Sequence, residues 1–144
     1  RDSFMTVSVQ GGGSGAGESG ADKGTFDIGM LSRDMGSKYA GNLVPITIGQ
    51  DGVAVIVNAE GVDNLTTKQV ADIFSGKITN WKDVGGSDKS IQVIIREDGS
   101  GTRECFDKAI SGAVSCSSTG LVIKQVQDTE GSIGYISIGQ VANI

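Results

Sequence analysis

The strongest constraint on the fold is an apolar, strand-like run that leads directly into a glycine turn and a helix-like segment. "SIQVIIR" (residues 90–96) is the most apolar run of this kind, and "EDGSG" and "TRECFDKAI" (102–110) follow it without a break. A second glycine turn, "QGGGSGAG" (10–17), follows another strand-like run, "FMTVSVQ". Strands that alternate with helices predict an α/β sheet flanked by helices.

Other segments supply the remaining predicted elements. Further strands are predicted for "FMTVSVQ" (4–10), "FDIGML" (26–31), "LVPITIG" (43–49), "GVAVIVN" (52–58) and "GSIGYISIGQV" (131–141). A short helix is predicted for "GESGADKG" (17–24). A second helix is predicted between an N-cap at Thr66 or Thr67 and a C-cap at Gly76, with Val70, Ile73 and Phe74 facing inward. A third is predicted for residues 118–129, with Leu121, Ile123 and Val126 facing inward.

Composition excludes several classes of function. The 144 residues carry 12 basic and 17 acidic side chains, a net charge of -5, which argues against nucleic acid as a partner. No histidine is present, so histidine-based catalysis and histidine metal ligation are impossible, and no cofactor or metal is predicted. Cys105 and Cys116 are the only cysteines, and whether they form a disulfide stays open.

The second glycine turn has the chemistry of an anion site. Gly99 and Gly101 let the backbone approach a bound group, and Ser100 and Thr102 add hydroxyl donors at a predicted helix start. Arg96 supplies a fork of donors suited to two oxygens of a tetrahedral oxyanion, and Asp98 is placed to hold that guanidinium.

Simpler interpretations of the same residues exist. A Gly-Ser-Gly sequence before a helix is often only a cap, and an arginine near an aspartate is often a surface pair worth less than about 1 kcal/mol. Neither turn is a nucleotide site, because neither has the Gly-Lys-Ser/Thr ending of a P-loop. Neither is a hydrolase site, because Ser14 and Ser100 have no histidine to activate them.

Six motifs in order resemble one family. They are "VSVQGGGSGAG", "GTFDIGMLSRD", "DGVAVIVN", "LTTKQVADIFSGKITNWKDVGG", "REDGSGTRECF" and "GSIGYISIGQV". Together they resemble periplasmic phosphate-binding proteins, the substrate-binding subunits of phosphate ABC transporters. The resemblance implies an α/β, periplasmic binding protein-like (type II) fold with two lobes that close over phosphate, and a binding protein without enzymatic activity.

The resemblance also implies a site. Ser14, Arg96, Ser100, Gly101 and Thr102 would be direct ligands, Asp98 would brace Arg96, and Gly13 and Gly99 would support the two turns. Ser32 occupies the position where some relatives carry an aspartate that accepts the proton of hydrogen phosphate. If Ser32 does not accept that proton, Asp51 is the next candidate, although an aspartate before Gly52 is also typical of a simple turn. Glu18 replaces an apolar residue of many relatives and is expected to weaken the short helix.

Measured against the family, the chain looks truncated at both ends. Residues 1–45 are expected to form part of the first lobe, 46–138 a whole second lobe, and 139–144 the start of a return segment. Such a partial lobe would expose sheet edges, giving a marginal monomer or a homodimer formed by segment swapping. The implied partners are inorganic phosphate and a membrane permease, and the implied location is periplasmic or extracellular, with a lipid anchor before processing left open.

Two rival functions remain. One is an interaction or sensory module that keeps the fold but has lost its pocket. The other is an enzyme that acts on a phosphate ester through Asp98 or Asp51, which the absence of an evident base disfavours.

Overall fold

The sheet at the centre of the protein is built entirely from the second part of the chain. The structure, a computed structural model, describes residues 5–106 and 112–143. The strands are β1 (Val53–Asn58), β2 (Gln92–Arg96), β3 (Val114–Cys116) and β4 (Ser132–Ser137). The α-helices are α1 (Gly13–Asp22), α2 (Thr67–Phe74), α3 (Gly101–Phe106) and α4 (Thr119–Asp128), and short 3-10 helices cover Ser37–Tyr39, Trp81–Val84 and Ile138–Asn143.

The four strands form one mixed sheet in the order β1-β4-β2-β3. β4 pairs antiparallel with β1 and parallel with β2, and β2 pairs parallel with β3. Because both parallel pairs are joined through helical segments, the predicted α/β class is confirmed.

Helices cover both faces of this sheet. Successive residues of a strand point to opposite faces, so the same strands contribute side chains to both cores. On one face, α2 packs on Val93, Ile95, Ile133 and Tyr135. On the other, α4 packs on Ile56, Ile94 and Ile136. The result is a helix–sheet–helix sandwich whose two cores lie within residues 53–137.

Local signals explain why α2 and α4 form where they do. Thr66 caps α2 in a capping box with Gln69, and Ile73 and Phe74 are buried as predicted. Ser118 caps α4 by accepting the amide hydrogen of Leu121. The predicted inward face of α4 was wrong in one position: Val122 is fully buried and Leu121 is 47% exposed, because Val122 and Val126 are four residues apart on the side facing the sheet.

Three predicted strands were wrong. Residues 5–10, 26–31 and 43–49 form no strand, and Phe4 lies outside the described residues. The strand-like pattern is real, since Met5, Val7, Val9, Val44, Ile46 and Ile48 all alternate along these segments, yet each is at least 72% exposed. A strand requires a hydrogen-bonded neighbour, and the sheet recruits its members only from residue 53 onward.

Other predicted elements stand with shifted bounds. The first helix begins at Gly13, inside the glycine turn, rather than at residue 17. The last strand ends at Ser137 and passes into a 3-10 helix, and the short strand β3 was not predicted. The end of the helix predicted for 102–110 falls partly on residues 107–111, outside the described residues. Within the described ranges, no helix has the length and apolar character needed to cross a membrane.

Candidate functional site

The two glycine turns meet in space. The amide of Gly15, in the first turn of α1, donates to the carbonyl oxygen of Gly99 at 3.0 Å. Gly99 has a φ of 85°, a left-handed conformation that favours glycine and that reverses the chain before α3. Residues that are more than eighty positions apart in sequence therefore form one loop cluster.

Ser14, Ser32 and Gly101 are the residues brought closest together. The Ser14 hydroxyl is buried, accepts the Ser32 amide at 3.1 Å and lies 3.4 Å from the Ser32 hydroxyl. A Cβ added at Gly101 would approach both hydroxyl oxygens to well under 3.0 Å. Glycine is therefore favoured at position 101, because a side chain there would displace the two hydroxyls.

At this cluster, the N-terminus of α1 has no side-chain cap, whereas the N-terminus of α3 has one. The residue that precedes α1, Gly12, offers no side chain to cap the helix, although first-turn amides require an acceptor. Ser100 is fully buried, and its hydroxyl accepts the Arg103 amide at 3.4 Å, which is the capping role that the simpler interpretation assigned to it. Thr102 lies half-buried on α3, and Gly13 packs against the Gly99 carbonyl.

Arg96 is held in place by Glu97 and Thr119. Its Nε and Nη2 donate to the two carboxylate oxygens of Glu97 at 2.7 and 2.8 Å, and its Nη1 donates to the Thr119 hydroxyl at 2.8 Å. The hydrogen bonds from Arg96 hold the pKa of Glu97 below its ordinary value. The guanidinium is buried rather than solvated, with 11% of the side chain exposed.

The predicted brace on Arg96 was assigned to the wrong acid. Asp98 is 97% exposed and pairs at 2.9 Å with Arg103, whose guanidinium also donates to the Arg96 carbonyl oxygen. The chain reverses at Gly99, which turns Asp98 outward and leaves Glu97 beside the arginine.

A buried ion pair next to Ser14 and Ser32 was missed by sequence reasoning. Arg33 Nη1 and Nη2 each donate to one oxygen of Glu18 at 2.7 Å, and the Gly36 amide donates to the same carboxylate at 2.7 Å. Glu18 is only 3% exposed, and these donors hold its pKa below its ordinary value despite burial. Glu18 thus anchors α1 rather than weakening it; the available signal was its spacing of four residues from Ser14, which places both on one helix face.

Asp51 lies at the start of β1. Its carboxylate accepts the Ser137 hydroxyl at 2.6 Å and the Gly52 amide at 2.8 Å, and the Ser137 hydrogen bond lowers its pKa. These contacts fit the turn interpretation of Asp51.

Around the cluster, a cavity of about 530 Å³ opens between α1 and the segment that follows Arg33. Its charged lining consists of Glu18, Arg33, Lys38 and Glu104, whereas Ser14, Ser32 and Gly101 do not line it. The two-hydroxyl cluster, formed by the Ser14 and Ser32 hydroxyls around Gly101, is therefore a separate feature from this cavity; Ser14 and Gly101 are buried in it, and Ser32 is exposed.

No group of three or more acidic, cysteine or histidine side chains suited to a metal occurs within residues 5–106 and 112–143. Cys116 is a buried free thiol, and burial raises its pKa. The side chain of Cys105 lies outside the described part of the chain.

Comparison with known proteins identifies clear relatives. A family model described as a PBP superfamily domain matches residues 2–143. The phosphate-binding protein PstS of Bacillus subtilis is 35% identical over 147 residues, which cover 95% of this chain and 49% of that protein.

Two solved structures of phosphate-transport proteins are also similar to this chain. A phosphate ABC transporter substrate-binding protein from Clostridium perfringens, solved with bound phosphate, is 41% identical with a TM-score of 0.85, covering 90% of this chain and 57% of that one. An ABC-type phosphate transport receptor from Vibrio cholerae is 39% identical with a TM-score of 0.73, covering 95% and 62%. The chain thus spans about half the length of the relatives that it matches.

Proposed function

Because the chain belongs to the PBP superfamily, we propose that it binds inorganic phosphate outside the cytoplasm, as part of a phosphate ABC importer. The α/β periplasmic binding protein fold expected from the sequence is confirmed by the family match and by the solved relatives. Those relatives are described as phosphate-binding or phosphate-transport proteins rather than enzymes. Binding and delivery to a membrane permease, without catalysis, is the function that this ancestry supports.

One observation carries the proposal: the hydroxyls of Ser14 and Ser32 converge on the backbone of Gly101, at the start of two helices. Hydroxyl and amide donors that converge in a concave turn solvate an oxyanion in place of water. The proposed direct ligands are Ser14, Ser32, Arg96, Ser100, Gly101 and Thr102, with Gly13 and Gly99 shaping the turns.

Arg96 is the proposed counter-charge of the site. It emerges from the end of β2, and Glu97 and Thr119 fix its guanidinium in one pose. Glu97 uses two of the guanidinium nitrogens, so binding to phosphate through the same fork would require that pair to rearrange. Because this rearrangement is required, replacing Arg96 tests the proposed ligand set more stringently than replacing any of the serines.

Acceptance of the phosphate proton is proposed for Ser32 rather than Asp51. A hydroxyl can both donate and accept, so Ser32 can pair with either a protonated or an unprotonated oxygen. A buried carboxylate would instead reject sulfate, because it would be left unpaired. We therefore expect weaker discrimination between phosphate and sulfate than a site with an aspartate at this position would give.

The division into lobes is likewise a proposal. Residues 1–45 would contribute α1 and Ser32 to a partial first lobe, residues 46–138 would form the second lobe with its own sheet, and residues 139–144 would begin the return. The exposed apolar side chains of residues 5–9 and 44–48 support pairing with further strands. In this chain alone, a homodimer formed by segment swapping would provide such strands, and sedimentation velocity would detect it.

The location follows from the same ancestry. A phosphate-delivering subunit of an importer acts in the periplasm or at the outer cell surface, where it meets the permease. A lipid anchor before processing would suit the extracellular case, and mass spectrometry of the protein isolated from membranes would reveal it.

Isothermal titration calorimetry with phosphate and with sulfate tests the function. We expect saturable binding of phosphate, and a loss of roughly 10- to 150-fold in Ser14→Ala and Arg96→Ala, because each removes a hydrogen bond to a charged ligand worth about 1.5–3 kcal/mol. Ser87→Ala, at an exposed serine in a different loop, is the matched control. Absence of phosphate binding at millimolar concentration would contradict the proposal and favour the interaction or sensory module.

A further inference from the structure

Arg33 ties together the three segments that form the two-hydroxyl cluster. It follows Ser32 directly in sequence, and its side chain is 13% exposed. Besides its two hydrogen bonds to Glu18, Nη1 donates to the Asp34 carbonyl oxygen at 2.8 Å, and Nε lies 2.6 Å from Glu104 Oε2. That last contact is an ion pair outside hydrogen-bond geometry. With its nitrogens occupied in this way, Arg33 is suited to hold structure rather than to bind an anion itself.

The spacing of these contacts sets a register. Ser14 and Glu18 are four residues apart on α1, so they lie one turn apart on the same face. Their partners, Ser32 and Arg33, are consecutive residues of one bend. Two adjacent attachments fix both the position and the rotation of that segment, whereas the Ser14–Ser32 contact alone would leave it free to pivot.

The third attachment reaches α3. Glu104 is three residues after Gly101, so the ion pair with Arg33 holds the helix whose first residue faces both hydroxyls. Arg33 therefore joins α1, the Ser32 segment and α3 around the cluster without entering it.

We propose that Arg33, clamped between Glu18 and Glu104, is a positioning residue that holds the Ser32 hydroxyl and amide in register with Ser14 and Gly101. The expected effect of this role on phosphate affinity rests on the proposed function, whereas the placement of Ser32 by Arg33 does not. The first can be measured by calorimetry and the second by hydrogen exchange in the absence of any ligand.

Glu18→Gln is the main test, because it keeps the size of the side chain but replaces one acceptor oxygen by a donor that faces Arg33. We expect amide exchange at Ser32 to accelerate by about tenfold or more, and phosphate affinity to fall by about tenfold. In a Ser32→Ala background the same change should cost less affinity than in the unaltered chain, since the positioned hydroxyl is gone and only the amide remains. A purely structural role would give equal losses in both backgrounds.

Asp72→Asn is the matched control. Asp72 also pairs with two cationic side chains, Lys68 and Lys77, but on the outer surface of α2. It should change neither Ser32 exchange nor phosphate affinity. If Glu18→Gln does not fold, Glu104→Gln removes only the arm to α3, from a carboxylate that is 47% exposed, and should shift both readings in the same direction by a smaller factor.

The outcomes are distinct. Unchanged Ser32 exchange in the folded variants would overturn the positioning role, whatever the affinity. Faster Ser32 exchange together with no phosphate binding by the unaltered chain would support the positioning role and refute the proposed function. Equal affinity losses with and without the Ser32 hydroxyl would also overturn the positioning role.

Discussion

Replacing Gly101 by alanine tests the convergence of the two hydroxyls most directly. The new methyl group would lie well under 3.0 Å from the oxygens of Ser14 and Ser32, and 3.3 Å from the Ser14 Cβ. Both hydroxyls must therefore retreat by roughly half an ångström or more to reach normal contact. The Ser14 hydroxyl can do so only by rotating away from the Ser32 amide that it accepts at 3.1 Å.

The magnitude follows from these contacts. Overpacking typically costs about 1–3 kcal/mol, and the lost hydrogen bond adds about 0.5–1.5 kcal/mol. Alanine in place of glycine in a helix returns about 0.5–1 kcal/mol. We expect the free energy of unfolding to fall by about 1–3 kcal/mol, and phosphate binding to weaken by at least about tenfold.

Urea titration followed by fluorescence of the single, fully buried Trp81 measures the stability, and calorimetry measures the binding. Gly120→Ala is the control, because Gly120 also lies in the first turn of a helix but has open space around its Cα. It should leave phosphate binding unchanged and stability unchanged or slightly higher. If Gly101→Ala behaves like Gly120→Ala in both assays, the hydroxyls do not converge on Gly101 as described.

Three further changes have defined outcomes. Thr66→Ala removes the hydroxyl that accepts the Gln69 amide in the capping box and should lower the free energy of unfolding by about 1 kcal/mol in urea titrations; no change would mean that the cap is dispensable. Trp81→Phe removes the indole donor to the Gly131 carbonyl oxygen at 2.8 Å, which should cost about 1–3 kcal/mol by thermal denaturation followed by circular dichroism; unchanged stability would mean that this hydrogen bond contributes nothing. Hydrogen bonds from its arginine partner lower the pKa of Glu18 from 4.5, so its stabilisation is present above the unfolded-state value and is lost as the pH falls through the folded-state value. The stability difference from Glu18→Gln should therefore be largest above the unfolded-state pKa of 4.5 and shrink as the pH falls below it, and a constant difference would contradict the buried pair.

The sequence predicted elements well where the local pattern alone decides them. The strands at 53–58, 92–96 and 132–137 are apolar runs bounded by turns, and α2 carries its own capping box. Residues 43–49 have an equally convincing strand pattern, but strand formation depends on a neighbour that no local pattern specifies. β3 was missed for the converse reason, since its three residues become a strand only through pairing with β2.

In the candidate site, too, some features could be predicted from the sequence and others could not. The meeting of Ser14 with Gly101 was implied by the family resemblance, which gave both residues as ligands of one site; the turn pattern alone did not pair them, because the run before the first turn joins no strand of the sheet. The pairing of Glu18 with Arg33 joins residues fifteen positions apart and depends on how α1 packs. The choice of Glu97 over Asp98 as partner of Arg96 depends on backbone rotation at a turn, which adjacent acidic residues in a sequence do not reveal.

The sheet order has a consequence for how the molecule is assembled during synthesis. β4, which lies between β1 and β2, is the last strand to be made. Until β4 has been synthesised, β1 and β2 have no common partner strand, and their apolar faces stay exposed to solvent. Formation of this sheet must therefore wait for β4, and its slow step should be the insertion of this strand between two strands that are already present.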